Sequence, residues 1–289
     1  MTPRPTVPYL RSPIAIAHRG GAGTWPENTI TSFEGAIGLG FRYIETDLHV
    51  TRDGQLVCFH DATLSRTTDG AGRVKDLTLA ELRSLDPGYW FSRDGGKTFP
   101  FRGKGCVVPT FEEALRLHPD VMLNVEMKQR QPPMEEQLWQ EIERLGVQDR
   151  VLVAAAHDPL VHRFRTLRRE RLPTSPGSRG VIAFLLGVRS GLGRFASYPF
   201  DALQVPPSYA GVTVVDRAFV EAAHAHSIHV HCWTIDRREE MNRLLDLGVD
   251  GVMTDEPELL RDVFAERGLP LVPGATGSSG TVAAEPRKG

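Results

Sequence analysis

The stretch His18-Arg19-Gly20-Gly21-Ala22-Gly23-Thr24-Trp25-Pro26-Glu27-Asn28-Thr29 decides how this chain folds. The apolar run Ile14–Ala17 precedes it, and an amphipathic run beginning at Ile30 follows it. A strand that stops at a glycine turn and gives way to a helix is one βα unit. Working outward, the same alternation recurs along the chain. Strands are expected at 14–18, 43–49, 121–127, 150–155, 180–185, 202–205, 228–233 and 251–253. Helices are expected at 30–39, 111–117, 134–145, 159–169, 190–198, 216–226, 238–247 and 257–267. Eight strands, each followed by a helix, imply parallel pairing with right-handed crossovers. The closed solution for eight such units is the (β/α)8 (TIM) barrel, an α/β fold that typically takes about 250 residues. The strands are near-continuous Val, Ile, Leu and Ala, as expected when both faces of a sheet are covered.

One interval breaks the alternation. Residues 62–109 hold Asp69-Gly70, Asp86-Pro87-Gly88 and Asp94-Gly95-Gly96, with no helix–strand rhythm. The interval is too long for an ordinary loop. It is expected to be a small insertion after the second strand, ordered by Tyr89, Trp90, Phe91, Phe99 and Phe101. The barrel domain is expected over 12–268, followed by a disordered tail at 269–289 rich in Gly, Ser, Ala and Pro.

The chain has 289 residues, 40% of them hydrophobic, and a net charge of −2. That balance gives no electrostatic case for nucleic acid. The basic run Arg163, Arg165, Arg168, Arg169 and Arg171 is expected to be a solvated helix face. Cys58, Cys106 and Cys232 show no metal spacing and are expected to be reduced, with the first and last in the core. No apolar leader and no membrane-spanning run is apparent, so a cytoplasmic protein is expected. There is no GxxxxGK[ST] and no strand–GxGxxG–helix unit, which leaves nucleotide binding without support.

The polar residues at the strand ends carry the chemistry. Alternate residues of a strand share a face, so Glu45 and Asp47 converge at the barrel mouth. Two carboxylates in a water-poor space repel unless a cation or proton intervenes. Glu126, on the next barrel strand, supplies a third. Oxygen ligands without a thiol favour one hard divalent cation, Mg²⁺ or Ca²⁺, with Mn²⁺ as a further candidate. Arg19 and Lys128 offer phosphate a planar fork and a mobile point charge. Glu27 is a candidate outer ligand, and Asn28 or Thr29 a candidate helix cap. Asp255 is expected to cap the final helix. His224, His226, His229 and His231 look like a metal cluster but lack a partner at matching spacing, so they are taken as structural.

Together these segments resemble the glycerophosphodiester phosphodiesterase family. The matching pieces are His-Arg-Gly (18–20), Pro-Glu-Asn-Thr (26–29), Glu-x-Asp (45–47), Asp-Gly (53–54), His-Asp (60–61) with Leu64 and Arg66-Thr67-Thr68, Glu-x-Lys (126–128), Trp-Thr (233–234) and Thr-Asp-x-Pro (254–257). The resemblance implies metal-dependent hydrolysis of a glycerophosphodiester to glycerol 3-phosphate and an alcohol. It assigns His18 and His60 to an acid/base pair and Trp233 to the glycerol end of the substrate. The chain departs from the family at Ala154-Ala155-Ala156-His157, where small hydroxyl and aromatic residues are usual, and this bears on specificity. Two other functions are weighed. A lysophospholipase D would hold an acyl chain on Tyr89-Trp90-Phe91, with transient contact to lipid; the preferred reading makes these aromatics the insertion's own core. A silent phosphodiester-binding barrel should have lost a ligand or a histidine, and none is missing.

Overall fold

The computed structural model describes residues 8–168 and 172–272. The strands are β1 (Ile14–Ala17), β2 (Tyr43–Val50), β3 (Leu56–Cys58), β4 (Met122–Met127), β5 (Val151–Ala154), β6 (Ala202–Val205), β7 (Ser208–Tyr209), β8 (Val212–Thr213), β9 (His229–Cys232) and β10 (Gly251–Thr254). The helices are α1 (Ile30–Gly38), α2 (Leu79–Arg83), α3 (Phe111–Arg116), α4 (Glu135–Leu145), α5 (Asp158–Leu167), α6 (Ser178–Ser190), α7 (Arg217–Ala225), α8 (Arg238–Leu247) and α9 (Pro257–Glu266). Their starts follow local chemistry. Thr29, Thr78 and Thr110 each accept a hydrogen bond from the backbone three residues on, while Ser32, Glu81 and Glu113 bond back to the cap. Such a reciprocal box satisfies two donors that a helix start leaves free.

Seven parallel strands run in the spatial order β5-β4-β2-β1-β10-β9-β6, and β3 pairs antiparallel with β2. Residues 173–175 close the ring between β5 and β6. The Val153 N–H donates to Pro173 O at 3.0 Å and the Ser175 N–H to Val153 O at 3.0 Å. On the other side the Asp201 N–H donates to Thr174 O at 2.9 Å. The result is the expected (β/α)8 barrel, with a bridge in place of the fifth strand.

Two expected elements are corrected here. Residues 180–185 are not a strand but the middle of α6. Residues 190–198 are not a helix; α6 ends at Ser190, and only 193–195 form a short 3-10 turn. A short apolar run fits a buried strand and a helix face equally well. The true bridge, Leu172-Pro173-Thr174-Ser175-Pro176, gives no strand signal because its two prolines cannot donate to a ladder. The arginine run is corrected in part. Arg165 turns inward and donates to Thr174 Oγ1 at 2.8 Å and Ser175 O at 3.1 Å, so it pins the bridge. Arg169 and Arg171 lie outside the described residues.

Side-chain alternation divides the interior. Outward-facing residues of the strands pack under the helices, as Leu123, Val125, Val151 and Val153 do with Leu138, Ile142 and Phe164. Inward-facing Ile14, Ile16, Tyr43, Leu152, Ala202 and Met253 fill the barrel itself. Tyr9 joins them, edge-on to Tyr43 at 5.2 Å. The interior is therefore apolar below and polar at the C-terminal mouth, where barrel enzymes carry their chemistry.

After β3 the insertion forms its own small cluster of Val57, Phe59, Leu64, Val74, Leu82 and Val108. Its aromatics pack on one another: Tyr89 on Trp90, Trp90 on Phe99 and Phe91 on Phe101. The Arg102 guanidinium lies 3.8 Å from the Phe99 ring centre and 4.1 Å from that of Tyr89. Leu269 is tied to α9 through Phe264 O. Of the expected tail at 269–289, the part from 273 onward lies outside the described residues, as do residues 1–7.

His231 occupies the barrel interior on β9, fully buried, with no protein hydrogen-bond partner on either ring nitrogen. A Cβ on Gly251 would sit 2.8 Å from its ring, so glycine is needed beside it. Burial, aided by His229, pushes the His231 pKa down to about 3. The folded value lies below the unfolded one. Its contribution to stability is therefore complete above about pH 6.5 and declines as pH falls toward 3. The His231→Met variant should lose this dependence and retain about 2–3 kcal/mol more of its pH 7 stability at pH 4.5 than wild type does. Parallel urea melts at the two pH values check this; identical acid sensitivity in both proteins would contradict it.

Candidate active site

Strand register assembles the site. Ala17 pairs with Ile44 on one side and with Thr254 on the other. One residue further on, His18 is level with both Glu45 and Asp255. Asp47 pairs with Glu126 across the β2–β4 ladder. The turn out of β1 holds Arg19 at φ 49°, a left-handed conformation, and this delivers its backbone N–H to Glu45 Oε2 at 3.0 Å. Gly20 must lack a side chain, because a Cβ there would meet Phe33 and Ser32 at 2.6 Å.

Glu45, Asp47 and Glu126 offer carboxylate oxygens that all lie within 4.8 Å of one another. Glu45 and Asp47 are buried and Glu126 half-buried. Burial, and then the neighbouring Asp47 charge, raises the pKa of Glu45. Burial also opposes ionisation of Asp47, but Lys128 and then Arg19 outweigh it and hold Asp47 below its ordinary value. Lys128 Nζ stands 3.1 Å from Asp47 Oδ1 and 3.0 Å from Glu126 Oε2. Arg19 Nε is 3.4 Å from Asp47 Oδ2. Three crowded carboxylates with only oxygen ligands suit a hard divalent cation. The raised pKa of Glu45 reflects its burial first and then the charge of Asp47, which His18 and Arg19 only partly offset.

Each histidine is oriented by an aspartate. His18 Nδ1 donates to Asp255 Oδ1 at 2.7 Å, which leaves Nε2 facing Glu45 Oε2 at 3.7 Å. Burial lowers the His18 pKa, but Glu45 and then Asp255 more than offset this, and the net shift is upward. The Phe59 N–H donates to Asp47 O at 2.8 Å, bringing the chain after β3 back beside β2. The next residue, His60, donates from Nδ1 to Asp61 Oδ1 at 2.6 Å. Arg66 Nε in turn donates to Asp61 Oδ2 at 2.6 Å. Burial opposes ionisation of Asp61, yet Arg66 and His60 hold it down at about 2.

The sequence missed several of these partners. Asp255 does not cap the final helix, whose cap position is Glu256; its carboxylate serves His18. Thr29 is the cap of α1, while Asn28 turns inward, donates to Asp47 Oδ2 at 2.9 Å and accepts from Thr46 Oγ1 at 2.6 Å. Glu27 is not among the clustered carboxylates. It accepts from Arg19 at 3.0 Å and from Arg66 at 2.7 Å, coupling the two arginines. The usable signals were the adjacency of His60 to Asp61 and the position of Asp255 one residue past a strand end.

Trp233 follows β9 at the mouth and is partly exposed; its N–H donates to Val205 O at 3.2 Å. Two of the four histidines taken as structural do have a carboxylate neighbour. His224 Nε2 lies 2.8 Å from Asp250 Oδ2 and His229 Nδ1 lies 3.8 Å from Asp250 Oδ1, at the opposite end of the strands from the site. His226, just past the end of α7, is buried.

The fold and the mouth residues together define a barrel enzyme whose carboxylates, cations and histidines converge at the C-terminal face. The model of the glycerophosphoryl diester phosphodiesterase family matches residues 18–259, and the chain belongs to that family. The resemblance carried by the motifs is thereby borne out. A Mycobacterium tuberculosis protein named "Probable glycerophosphodiester phosphodiesterase 2" is 35% identical, over 91% of this chain and 96% of that one. The crystal structure of the glycerophosphoryl diester phosphodiesterase domain of an uncharacterized Mycobacterium tuberculosis protein has TM-score 0.75 at 22% identity, covering 88% of this chain and 99% of that one. An Oleispira antarctica phosphodiesterase solved with the product sn-glycerol-3-phosphate has TM-score 0.68 at 26% identity, covering 88% of this chain and 97% of that one.

The Asp255→Asn variant should lower the His18 pKa, since a charged acceptor becomes a neutral one. An NMR titration of the His18 ring checks this, and an unmoved midpoint would show that Asp255 does not set its protonation.

Proposed function

We propose that this chain hydrolyses glycerophosphodiesters to glycerol 3-phosphate and an alcohol, using one divalent cation. The observation that carries this is the convergence of Glu45, Asp47 and Glu126 within 4.8 Å at the mouth of a barrel from this family. These three carboxylates would hold the ion. When bound, it would supply Lewis-acid charge at a phosphate oxygen. Mg²⁺ and Ca²⁺ both suit oxygen ligands, and Mn²⁺ is a further candidate.

The remaining steps belong to the protein. Arg19 and Lys128 bind the phosphate oxygens and offset the charge that develops on them. Glu27 holds the Arg19 guanidinium in place. His18 and His60 form the acid/base pair. One takes a proton from the attacking water, or from the neighbouring glycerol hydroxyl in a route whose cyclic phosphate is then opened by water, and the other gives a proton to the departing alkoxide. In both rings an aspartate accepts from Nδ1, so Nε2 is the nitrogen left to exchange that proton. Trp233 borders the glycerol moiety. The product assigned here is the one found in the Oleispira enzyme.

A cytoplasmic location belongs to the same proposal. Cys58, Cys106 and Cys232 are all unpaired, which fits a reducing compartment. Among the described residues no helix is long and apolar enough to cross a membrane. The lysophospholipid reading rested on Tyr89-Trp90-Phe91, and these aromatics are engaged with one another and with Arg102.

Release of glycerol 3-phosphate from glycerophosphocholine should be abolished by EDTA and restored by a divalent cation. The His18→Ala and His60→Ala variants should each lose about 10²–10⁴-fold in kcat while melting near wild type. Wild-type rates in both would remove the acid/base pair. A strong preference for lysophosphatidylcholine would change the substrate, and no turnover of either with any metal would leave a binding barrel.

A further inference from the structure

The run Val181-Ile182-Ala183-Phe184-Leu185-Leu186 in α6 has more apolar surface than the fold uses. Only Phe184 is buried; it meets Tyr198, Phe200 and Phe219. Ile182 and Leu186, one helical turn apart, are 56% and 62% exposed. In the turn after the helix, Leu192 and Phe195 are 67% and 76% exposed. Single exposed apolar side chains are ordinary, but a stripe of four large ones marks an interaction site.

The stripe is tied to a second exposed apolar patch. Arg189, near the end of α6, donates to Thr213 O at 3.1 Å and pairs with Asp216 at 2.6 Å. This ties α6 to the β7–β8 hairpin, where Tyr209 is 73% and Val212 56% exposed. The hairpin follows β6, and Trp233 tops the neighbouring β9. The apolar surface therefore borders the active-site mouth on its β6–β9 side.

Charge identifies the partner. From 178 to 200 the chain carries Arg179, Arg189 and Arg194 and no Asp or Glu, although its net charge is −2. The Arg194 guanidinium lies 4.7 Å over the Phe195 ring. Beside the start of α6, a cleft of about 650 Å³ is lined by Arg130, His157, Arg163 and Arg179. Its one carboxylate, Asp158, accepts from the N–H groups of Arg179 and Gly180 at 2.9 and 3.0 Å, and Arg163 lies 3.6 Å from Glu135. Apolar and aromatic residues flanked by arginines match the apolar–anionic boundary of a lipid bilayer. A second copy of this chain fits less well, because a two-fold contact would bring the arginines of both copies together.

We propose that α6 and the turn after it dock this protein on an anionic lipid surface, with Ile182, Leu186, Leu192 and Phe195 entering the boundary and Arg179 and Arg194 meeting the headgroups. The docking holds whether or not a lipid is the substrate. Sedimentation of the full chain with vesicles tests it. Binding should be at least about tenfold tighter to phosphatidylglycerol–phosphatidylcholine vesicles than to phosphatidylcholine alone, and should weaken in high salt. The Leu186→Ser/Phe195→Ser and Arg179→Glu/Arg194→Glu variants should each lose about tenfold, with unchanged melting temperature and unchanged turnover of soluble glycerophosphocholine. Absence of wild-type binding to the anionic vesicles, or equal binding by both variants, would overturn the proposal. So would a dimer in analytical ultracentrifugation that Leu186→Ser/Phe195→Ser dissociates without any vesicle binding.

Discussion

Mutual repulsion among Glu45, Asp47 and Glu126 is the constraint around which the rest of the mouth is arranged. Strand register makes the crowding unavoidable: Asp47 and Glu126 are ladder partners, and Glu45 shares the face of Asp47. In a space shielded from water, three such charges stand close only beside compensating charge. Lys128 spans two of them, Arg19 approaches from the first turn, and Asn28 donates to Asp47. Further out, Glu27 and Arg66 hold Arg19 and Asp61 in place. A site built this way is costly to the fold and prepared for a cation and an anionic ligand.

The barrel separates that cost from its stability. Apolar side chains fill the lower interior around Ile14, Ile16, Tyr43 and Met253, and the helices seal the outer faces of the strands. The loops after the strands are then free to carry polar groups. Both histidines follow one pattern in which an aspartate fixes Nδ1, although the two aspartates come from distant parts of the chain. This pairing sets the tautomer of each ring before any substrate arrives.

Much of this was legible in the sequence, because strand ends and site residues coincide. His18, Glu45, Asp47, Glu126 and Lys128 sit at or beside ends of apolar runs whose length and bounding glycines mark them as strands. The fifth barrel position was illegible for a physical reason. Thr174 bridges β5 and β6 from between two prolines, with no apolar run of its own. The run that resembled a strand, 180–185, lies in α6, where Phe184 enters the core, Val181 and Leu185 pack against it, and Ile182 is exposed. Asp255 was misassigned, and Asn28 was offered beside Thr29 as a cap, because both stand where a helix cap is expected. Only the register of β1 against β10 and β2 reveals what their side chains reach.

An anomalous difference map from Mn²⁺-soaked crystals of the full chain tests the central claim most directly. The account predicts a single strong peak bounded by carboxylate oxygens of Glu45, Asp47 and Glu126, at roughly 2.0–2.6 Å. Lys128 should move away from Asp47 in the structure refined from the same crystal. A map without a peak between these carboxylates, or a refined structure with Lys128 Nζ still bridging Asp47 and Glu126 and the metal bound elsewhere, would contradict it.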